Sequence, residues 1–121
     1  MEGLANYNKE ERPWGNFERF TLNEPTTVKI LTVNAGGTLS LQTHEHRDEF
    51  AKVIRGFGII RLGEKEIEVK EGDSCLIRRG SEHRVIAGSD GLAYLEISFG
   101  DFDEHDEKRL EDKYGRVSPQ N

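Results

Sequence analysis

The feature that most constrains this chain is a two-residue rhythm. Between Asn16 and Phe99, apolar and polar residues alternate in runs of five to eight, rich in Val, Ile, Leu, Thr and Phe, and each run is cut by a glycine or a charged turn. Two residues is the repeat of a strand, not of a helix. The runs are NFERFTL, TVKILTV, GTLSLQTH, FAKVIRG, FGIIRL, EIEVK, SCLIR, HRVIAG and LAYLEISF, joined by NAGG, LGEK, KEGD, RRGS and GSDG. Nine short strands predict an all-β fold closed into a small barrel or a pair of packed sheets. The length of 121 residues gives one hydrophobic core and leaves no room for two.

After Gly100 the rhythm stops. The segment FDEHDEKRLEDKYG carries acids early, Lys108, Arg109 and Lys113 later, and a glycine at its end, which predicts one short C-terminal helix with a solvated face around Leu110 and Tyr114. The expected organisation is a single domain with an N-terminal arm over 1–16, a β-barrel over 17–100, a helix over 101–116 and a tail over 117–121. Trp14 is expected to anchor the arm by packing, and His105 to be solvated.

Charge excludes some functions. The net charge is -6, and residues 101–113 hold seven acids and three bases, so the rest of the chain is close to neutral. It offers no basic face and no interleaved aromatic and basic residues for nucleic acid. No apolar run approaches the roughly 18 residues of a membrane-spanning helix, and MEGLANYNKEERPWG lacks the apolar middle of a signal peptide, so no membrane is expected and the cytoplasm is the expected location. Cys75 is the only cysteine; in DSCLIR it reads as a small core residue, with no chemistry assigned.

One run breaks the usual pattern of apolar residues facing inward. In GTLSLQTHEH the even positions Ser40, Gln42, His44 and His46 share one strand face, and Leu39, Leu41, Thr43 and Glu45 share the other. A polar row with two imidazoles makes sense where that face lines a cavity. His44 and His46 would lie about 7 Å apart at their Cα atoms, within reach of one ion. Glu49 follows three residues after His46, and His83 lies eleven residues after Gly72 and three after Gly80.

Those spacings resemble the two motifs of the cupin superfamily, the first in HEHRDEFAKVIRG and the second in GDSCLIRRGSEH. The resemblance sharpens along the chain. ERPWGNF, VKILTV, GGTLSLQTHEHR, EGDSCLIRRGSEHR, LEISFG and RLEDKYGR stand in the same order in the type II phosphomannose isomerase domain of bifunctional isomerase and GDP-mannose pyrophosphorylase enzymes. It covers roughly residues 11–116 by that motif order. It implies a cupin barrel, a double-stranded β-helix of the jelly-roll type, holding one divalent metal through His44, His46, Glu49 and His83, with Gln42 beside them. Zinc is expected first; manganese, nickel, cobalt or iron would suit the same ligands. The gap from His46 to Glu49 is one residue shorter than in most cupins. Phe50 and Ala51 stand where the family usually carries His-Trp, Arg78 replaces a proline, Ala87 an asparagine and Ser98 a glutamine.

The implied reaction interconverts mannose 6-phosphate and fructose 6-phosphate. A proton leaves the carbon beside the carbonyl and returns to its neighbour, through an enediolate. Glu96 in LAYLEISF is the leading base: it shares a strand face with Tyr94 and Ser98, opposite an Ala93, Leu95, Ile97 and Phe99 row expected to form the core face. Glu49 is the rival base if it does not bind the metal. Arg47, Arg84 and Arg116 stand in matching motifs and Lys29 matches the family's VK strand, so these four, with Tyr114 closing over the substrate, are the candidates for holding the sugar phosphate. Arg47 is also assigned to the reacting centre. No glycine-rich nucleotide-binding segment stands in these residues, which predicts no pyrophosphorylase activity. A homodimer is expected, because a small barrel leaves strand edges that pairing protects. Two alternatives stay open: a non-catalytic cupin that binds a sugar, favoured by Phe50 and Ala51, and a metal-dependent cupin dioxygenase.

Overall fold

A computed structural model describes residues 3–100, 102–103 and 105–116. Nine strands follow in order: β1 (Asn8–Arg12), β2 (Gly15–Arg19), β3 (Thr26–Val33), β4 (Leu41–Thr43), β5 (Asp48–Leu62), β6 (Lys65–Lys70), β7 (Ser74–Ile77), β8 (His83–Phe99) and β9 (Lys108–Glu111). Every pairing among them is antiparallel.

Two strands carry the architecture. β5 joins the expected FAKVIRG and FGIIRL runs, and β8 joins HRVIAG and LAYLEISF. They pair along their whole length, from Asp48 opposite Phe99 to Leu62 opposite His83. The first half of β5 is flanked by β7, and the matching half of β8 by β3. The second half of β5 is flanked by β6, and the matching half of β8 by β4, which β9 extends. The result is the double-stranded β-helix expected from the sequence, two sheets that share both long strands.

The corner between the sheets explains why the sequence reads each long strand as two. Register shifts fall between Val53 and Arg55 and between Gly56 and Gly58. A bulge adds a residue and bends the strand, so the inward positions change from Glu49, Ala51 and Val53 to Ile60, and on β8 from Val85 and Ala87 to Leu92 and Tyr94. Gly56 makes the corner possible. Its φ is 78°, and a Cβ there would lie 2.2 Å from the Gly91 carbonyl oxygen.

Ala51, Val53, Ile60, Val69, Cys75, Ile77, Val85, Ala87, Leu92 and Tyr94 form the core, with Leu31, Val33, Leu39, Leu62 and Ile67 packed against it. Each fully buried Val, Leu or Ile contributes about 1.5–3 kcal/mol by leaving water. Cys75 is the small core residue expected, and burial raises its thiol pKa.

The structure corrects three expectations. No helix occurs among the described residues: the segment expected to be helical contributes β9, with Gln42 opposite Arg109 and Thr43 opposite Lys108. The unpaired edge of β4 offers backbone donors and acceptors that a short, highly charged segment cannot match by coiling on itself. Trp14 does not pack; it sits in the turn between β1 and β2 and is 72% exposed, the two strands closing the hairpin through their own backbone pairs. The core face of LAYLEISF is also reversed, because Leu92 and Tyr94 join the core and the polar row points inward. Ile97 is nevertheless buried on the other side, paired beside Phe50, whose ring meets Phe20 at 5.8 Å. Both faces of this stretch are covered, so alternation alone does not tell in from out. The expected tail over 117–121 lies outside the described residues.

Candidate metal and sugar-phosphate site

The even-numbered face from Ser40 to His44 points inward, as its pattern predicts: Ser40, Gln42 and His44 are buried. β4 then ends at Thr43 and the chain bends at Glu45 and His46. The backbone N–H groups of these two residues donate to Oδ1 and Oδ2 of Asp106 at 3.0 and 2.9 Å. Strand parity stops in that bend. His46 is exposed and lies outside the cluster that His44 joins, while Arg47 turns inward and is buried. The expectation that His44 and His46 meet on one strand face is thus corrected by a turn.

Three ligand types converge instead: His44, Glu49 and His83 present atoms within 4.8 Å of one another, all from buried residues. Glu49 comes from the start of β5 and His83 from the start of β8, which the corner folds back across the barrel. His44 Nδ1 lies 2.6 Å from the Asp106 carbonyl oxygen and His83 Nδ1 lies 3.0 Å from that of Ser81. A carbonyl only accepts, so each imidazole carries its proton on Nδ1 and leaves Nε2 for the site. Nε2 of His44 is 3.2 Å from Glu49 Oε1 and that of His83 is 3.5 Å away. Meanwhile Glu49 Oε2 accepts from Arg47 Nε at 3.2 Å and from Ser98 Oγ at 3.4 Å, while Oε1 is buried with no hydrogen-bond donor. Arg47 Nη2 lies 3.5 Å from His44 Nε2 and so borders one lone pair; Oε1 and the two Nε2 atoms otherwise face one another with no hydrogen between them, an arrangement that a positive charge at their centre stabilises. That donor set fits a divalent cation, and a proton on His44 is the other way to satisfy it.

The electrostatics agree. Burial pushes the Glu49 carboxyl up, but the pull of the facing His44 and His83 rings outweighs it and holds it well below the usual range. For His44, burial works downward and the Glu49 carboxylate wins, raising its pKa.

These three line a cavity of about 90 Å³ together with Gln42, Lys29, Arg47, Arg84, Tyr94, Glu96 and Glu107. Gln42 Nε2 donates to the Ser40 carbonyl and hydroxyl at 3.3 and 3.2 Å. Glu96 lines the cavity, on the face opposite the row expected to form the core. Its pKa is raised to about 7 by burial, by the charge of Glu49 and by a hydrogen bond with it, against the lowering pull of Lys29 and Arg47. Lys29 Nζ and the Arg47 guanidinium both lie against the Phe102 ring, at 4.3 and 4.6 Å from its centroid. Arg84 donates from Nε to the Leu39 carbonyl and lies 3.5 Å from Glu111.

Arg116 and Tyr114 are elsewhere. They line a neighbouring surface hollow of about 430 Å³ that shares only Leu31 and Leu39 with the cavity. Arg116 is paired with Asp112 at 2.8 Å. Phe50 packs on the outside of its sheet, so of the two positions that depart from the family's His-Trp only Ala51 faces inward.

Three residues of the site escape a reading of the sequence. Tyr94 is buried in the cavity wall, its phenol held protonated by burial and by the charges of Glu96 and Glu49; its shared face with Glu96 was the available signal. Phe102 and Asp106 sit in the segment that looked helical, where nothing in the charge pattern points to His44.

Comparison with known proteins adds to this geometry. Residues 2–112 match the family model described as mannose-6-phosphate isomerase, C-terminal. The chain is 37% identical over 113 residues to the xanthan biosynthesis protein XanB of Xanthomonas campestris pv. campestris, covering 92% of this chain and 24% of that protein. It is 36% identical over 109 residues to the alginate biosynthesis protein AlgA of Pseudomonas aeruginosa, covering 88% and 23%. The chain therefore spans about a quarter of the length of these curated relatives. Among solved structures, a conserved protein with a double-stranded β-helix domain from Klebsiella pneumoniae subsp. pneumoniae superposes with a TM-score of 0.63 at 17% identity, over 78% of this chain and 90% of that one. That likeness concerns the fold alone.

Proposed function

Because the chain belongs to the mannose-6-phosphate isomerase C-terminal family, we propose that it is a metal-dependent aldose–ketose isomerase acting on mannose 6-phosphate and fructose 6-phosphate. The observation that carries the reading is the buried Glu49 Oε1, facing two imidazole Nε2 atoms with Glu96 in the same cavity. His44, Glu49 and His83 would hold the ion, with Gln42 beside them, and zinc is the first choice for imidazole and carboxylate ligands. When bound, such an ion supplies Lewis-acid stabilisation of the charge that develops on the substrate oxygens.

The chain's own residues supply the rest. Glu96, with a pKa of about 7, is balanced between giving and taking a proton at neutral pH, which is what shuttling one proton between adjacent carbons requires. Tyr94 stays protonated and can donate to a substrate oxygen. Lys29, Arg47 and Arg84 gather positive charge at the cavity and would take the phosphate. Small-molecule pockets run to roughly 300–1,000 Å³, so the cavity of about 90 Å³ must widen to admit a hexose phosphate.

The test is solvent exchange. Protein loaded with zinc, manganese or cobalt is incubated with mannose 6-phosphate in deuterium oxide, and fructose 6-phosphate and label at the carbon beside the carbonyl are measured. Neither product nor exchange under any of the metals would sink the isomerase reading. The small cavity favours a second reading, a binder of sugar phosphate without turnover, which binding in the absence of exchange would promote. The proposal includes a homodimer, supported by the outward Val28 and Ile30 of β3, 56% and 63% exposed. A monomer by light scattering at micromolar concentration would remove that part. No helix of the described residues is long and apolar enough to cross a membrane; the proposal includes a cytoplasmic location, by the sugar-phosphate substrate it names.

A further inference from the structure

We infer that Asp106 is the positioning residue of the ion site, setting both the ring of His44 and the turn that chooses which side chains enter the barrel. The inference rests on the reading of His44, Glu49 and His83 as an ion site and says what assembles it.

Asp106 makes three hydrogen bonds to the chain that follows β4, while its own N–H donates to the Asp103 carbonyl at 2.9 Å. The Asp106 carbonyl oxygen takes the His44 Nδ1 proton at 2.6 Å, and its carboxylate takes the N–H groups of Glu45 and His46 at 3.0 and 2.9 Å. The first contact fixes the tautomer and rotation of the imidazole, directing Nε2 at Glu49. An outer partner of this kind orients a ligand that would otherwise sample several rotamers. The second and third hold the bend that ends strand parity. Without it the alternation would carry His46 inward and Arg47 outward; with it, His46 is exposed and the Arg47 guanidinium reaches Glu49 at 3.2 Å. One residue outside the cluster thus selects its members, and it brings the segment before β9 against the site.

The experiment titrates cobalt(II), whose visible absorption reports the geometry of its ligands, into the whole chain and into the Asp106→Ala and Asp106→Asn variants. Asp106→Ala should weaken cobalt binding about 10- to 100-fold, the usual effect of losing an outer partner, and should change the absorption envelope, while the ion-free protein keeps its thermal transition. Both variants keep the main-chain carbonyl that His44 Nδ1 meets; Asp106→Ala loses both carboxylate anchors of the 45–46 bend, and Asp106→Asn, with one side-chain acceptor left, should fall between. Wild-type affinity and spectrum in Asp106→Ala would overturn the inference; if that variant does not fold, wild-type behaviour in Asp106→Asn would do so. A second readout needs no ion: nitrogen NMR of the His44 ring, at a pH alkaline enough for the ring to be neutral, should show the proton on Nδ1 in the wild type and a mixture of tautomers in Asp106→Ala, where loss of the carboxylate anchors lets the retained main-chain carbonyl move off the ring. If the wild type binds no cobalt, the ion reading fails on its own. The ring spectrum then decides, and a His44 tautomer unchanged by Asp106→Ala would refute the positioning role.

Discussion

Glu49 Oε1 lies 3.2 Å from His44 Nε2 and, with the Nδ1 proton of that ring donated to a carbonyl, no hydrogen stands between them unless the imidazole is charged. The two atoms belong to residues only five apart, yet they meet because a turn and not a strand connects them.

That relationship sets His83 apart from His46. His83→Ala should lower divalent-ion affinity by about 100-fold or more, since it removes one of the converging ligands. His46→Ala should leave affinity within about threefold of wild type, although the sequence motif counts His46 as a ligand. Calorimetric titration of both variants checks this; release of the ion by His46→Ala would mean that the 45–46 turn rearranges on binding.

Glu96→Gln keeps the shape of the side chain and loses the base. The turnover number for mannose 6-phosphate should fall by about 100-fold or more, with KM and ion affinity nearly unchanged. A variant with normal turnover would move the proton transfer to another group, and Glu49 is the rival.

The cations divide by location. Lys29→Ala should raise KM for the sugar phosphate about 10- to 100-fold, the worth of one charge-assisted hydrogen bond of roughly 1.5–3 kcal/mol, and leave binding of the free sugar alone. Arg116→Ala should change neither the KM nor the binding of the free sugar, because Arg116 lies in the adjoining hollow and pairs with Asp112. Steady-state kinetics on both variants would show the contrast, and equal effects would mean that the hollow joins the cavity.

Stability of the ion-free protein should fall as pH rises from about 5 to 8. Glu96 titrates near 7 when folded against 4.5 for the free side chain. Between those values the folded state holds a proton that the unfolded state has lost, and stability drops with pH. His44 acts the same way: its raised pKa gives a contribution complete below 6.5 and lost above its folded value. Glu49, held low, contributes only a loss at acid pH, below 4.5. Melting temperatures across this range should decline, and Glu96→Gln should decline less. A rise in stability from pH 5 to 8 in the wild type would contradict the assignment.

Gly56→Ala tests the corner. At φ 78°, with a Cβ 2.2 Å from the Gly91 carbonyl, alanine should cost about 2 kcal/mol or more through the left-handed backbone and the contact it forces. Urea unfolding with an unchanged m-value would measure it. A cost under half that would show the corner yields.

The barrel was legible because period two survives along each half-strand, and so was the inward row of Ser40, Gln42 and His44. What stayed hidden shares one physical cause, the loss of local periodicity. The bulges at Val53 and Gly56 shift the inward parity within one strand, so β5 reads as two. The 45–46 bend is set by a carboxylate sixty residues away, which no local pattern announces. Glu96 shares its inward face with Tyr94 and Ser98, which local alternation assigns outward, since a cavity wall needs polar residues where a core needs apolar ones. The acidic segment suited a helix by its charges alone; the free edge of β4 decided otherwise.

The sharing of β5 and β8 between both sheets bears on how the protein breathes. A sheet can peel away by itself only where its strands end within it, and here neither does. The amide hydrogens of Val53, Ile60, Val85 and Tyr94, taken from both halves, should exchange with solvent only through one global opening and with a common free energy. The turn at 45–46 and the residues around Asp106 belong to neither long strand, so they can open and close over the ion site while that frame stays shut.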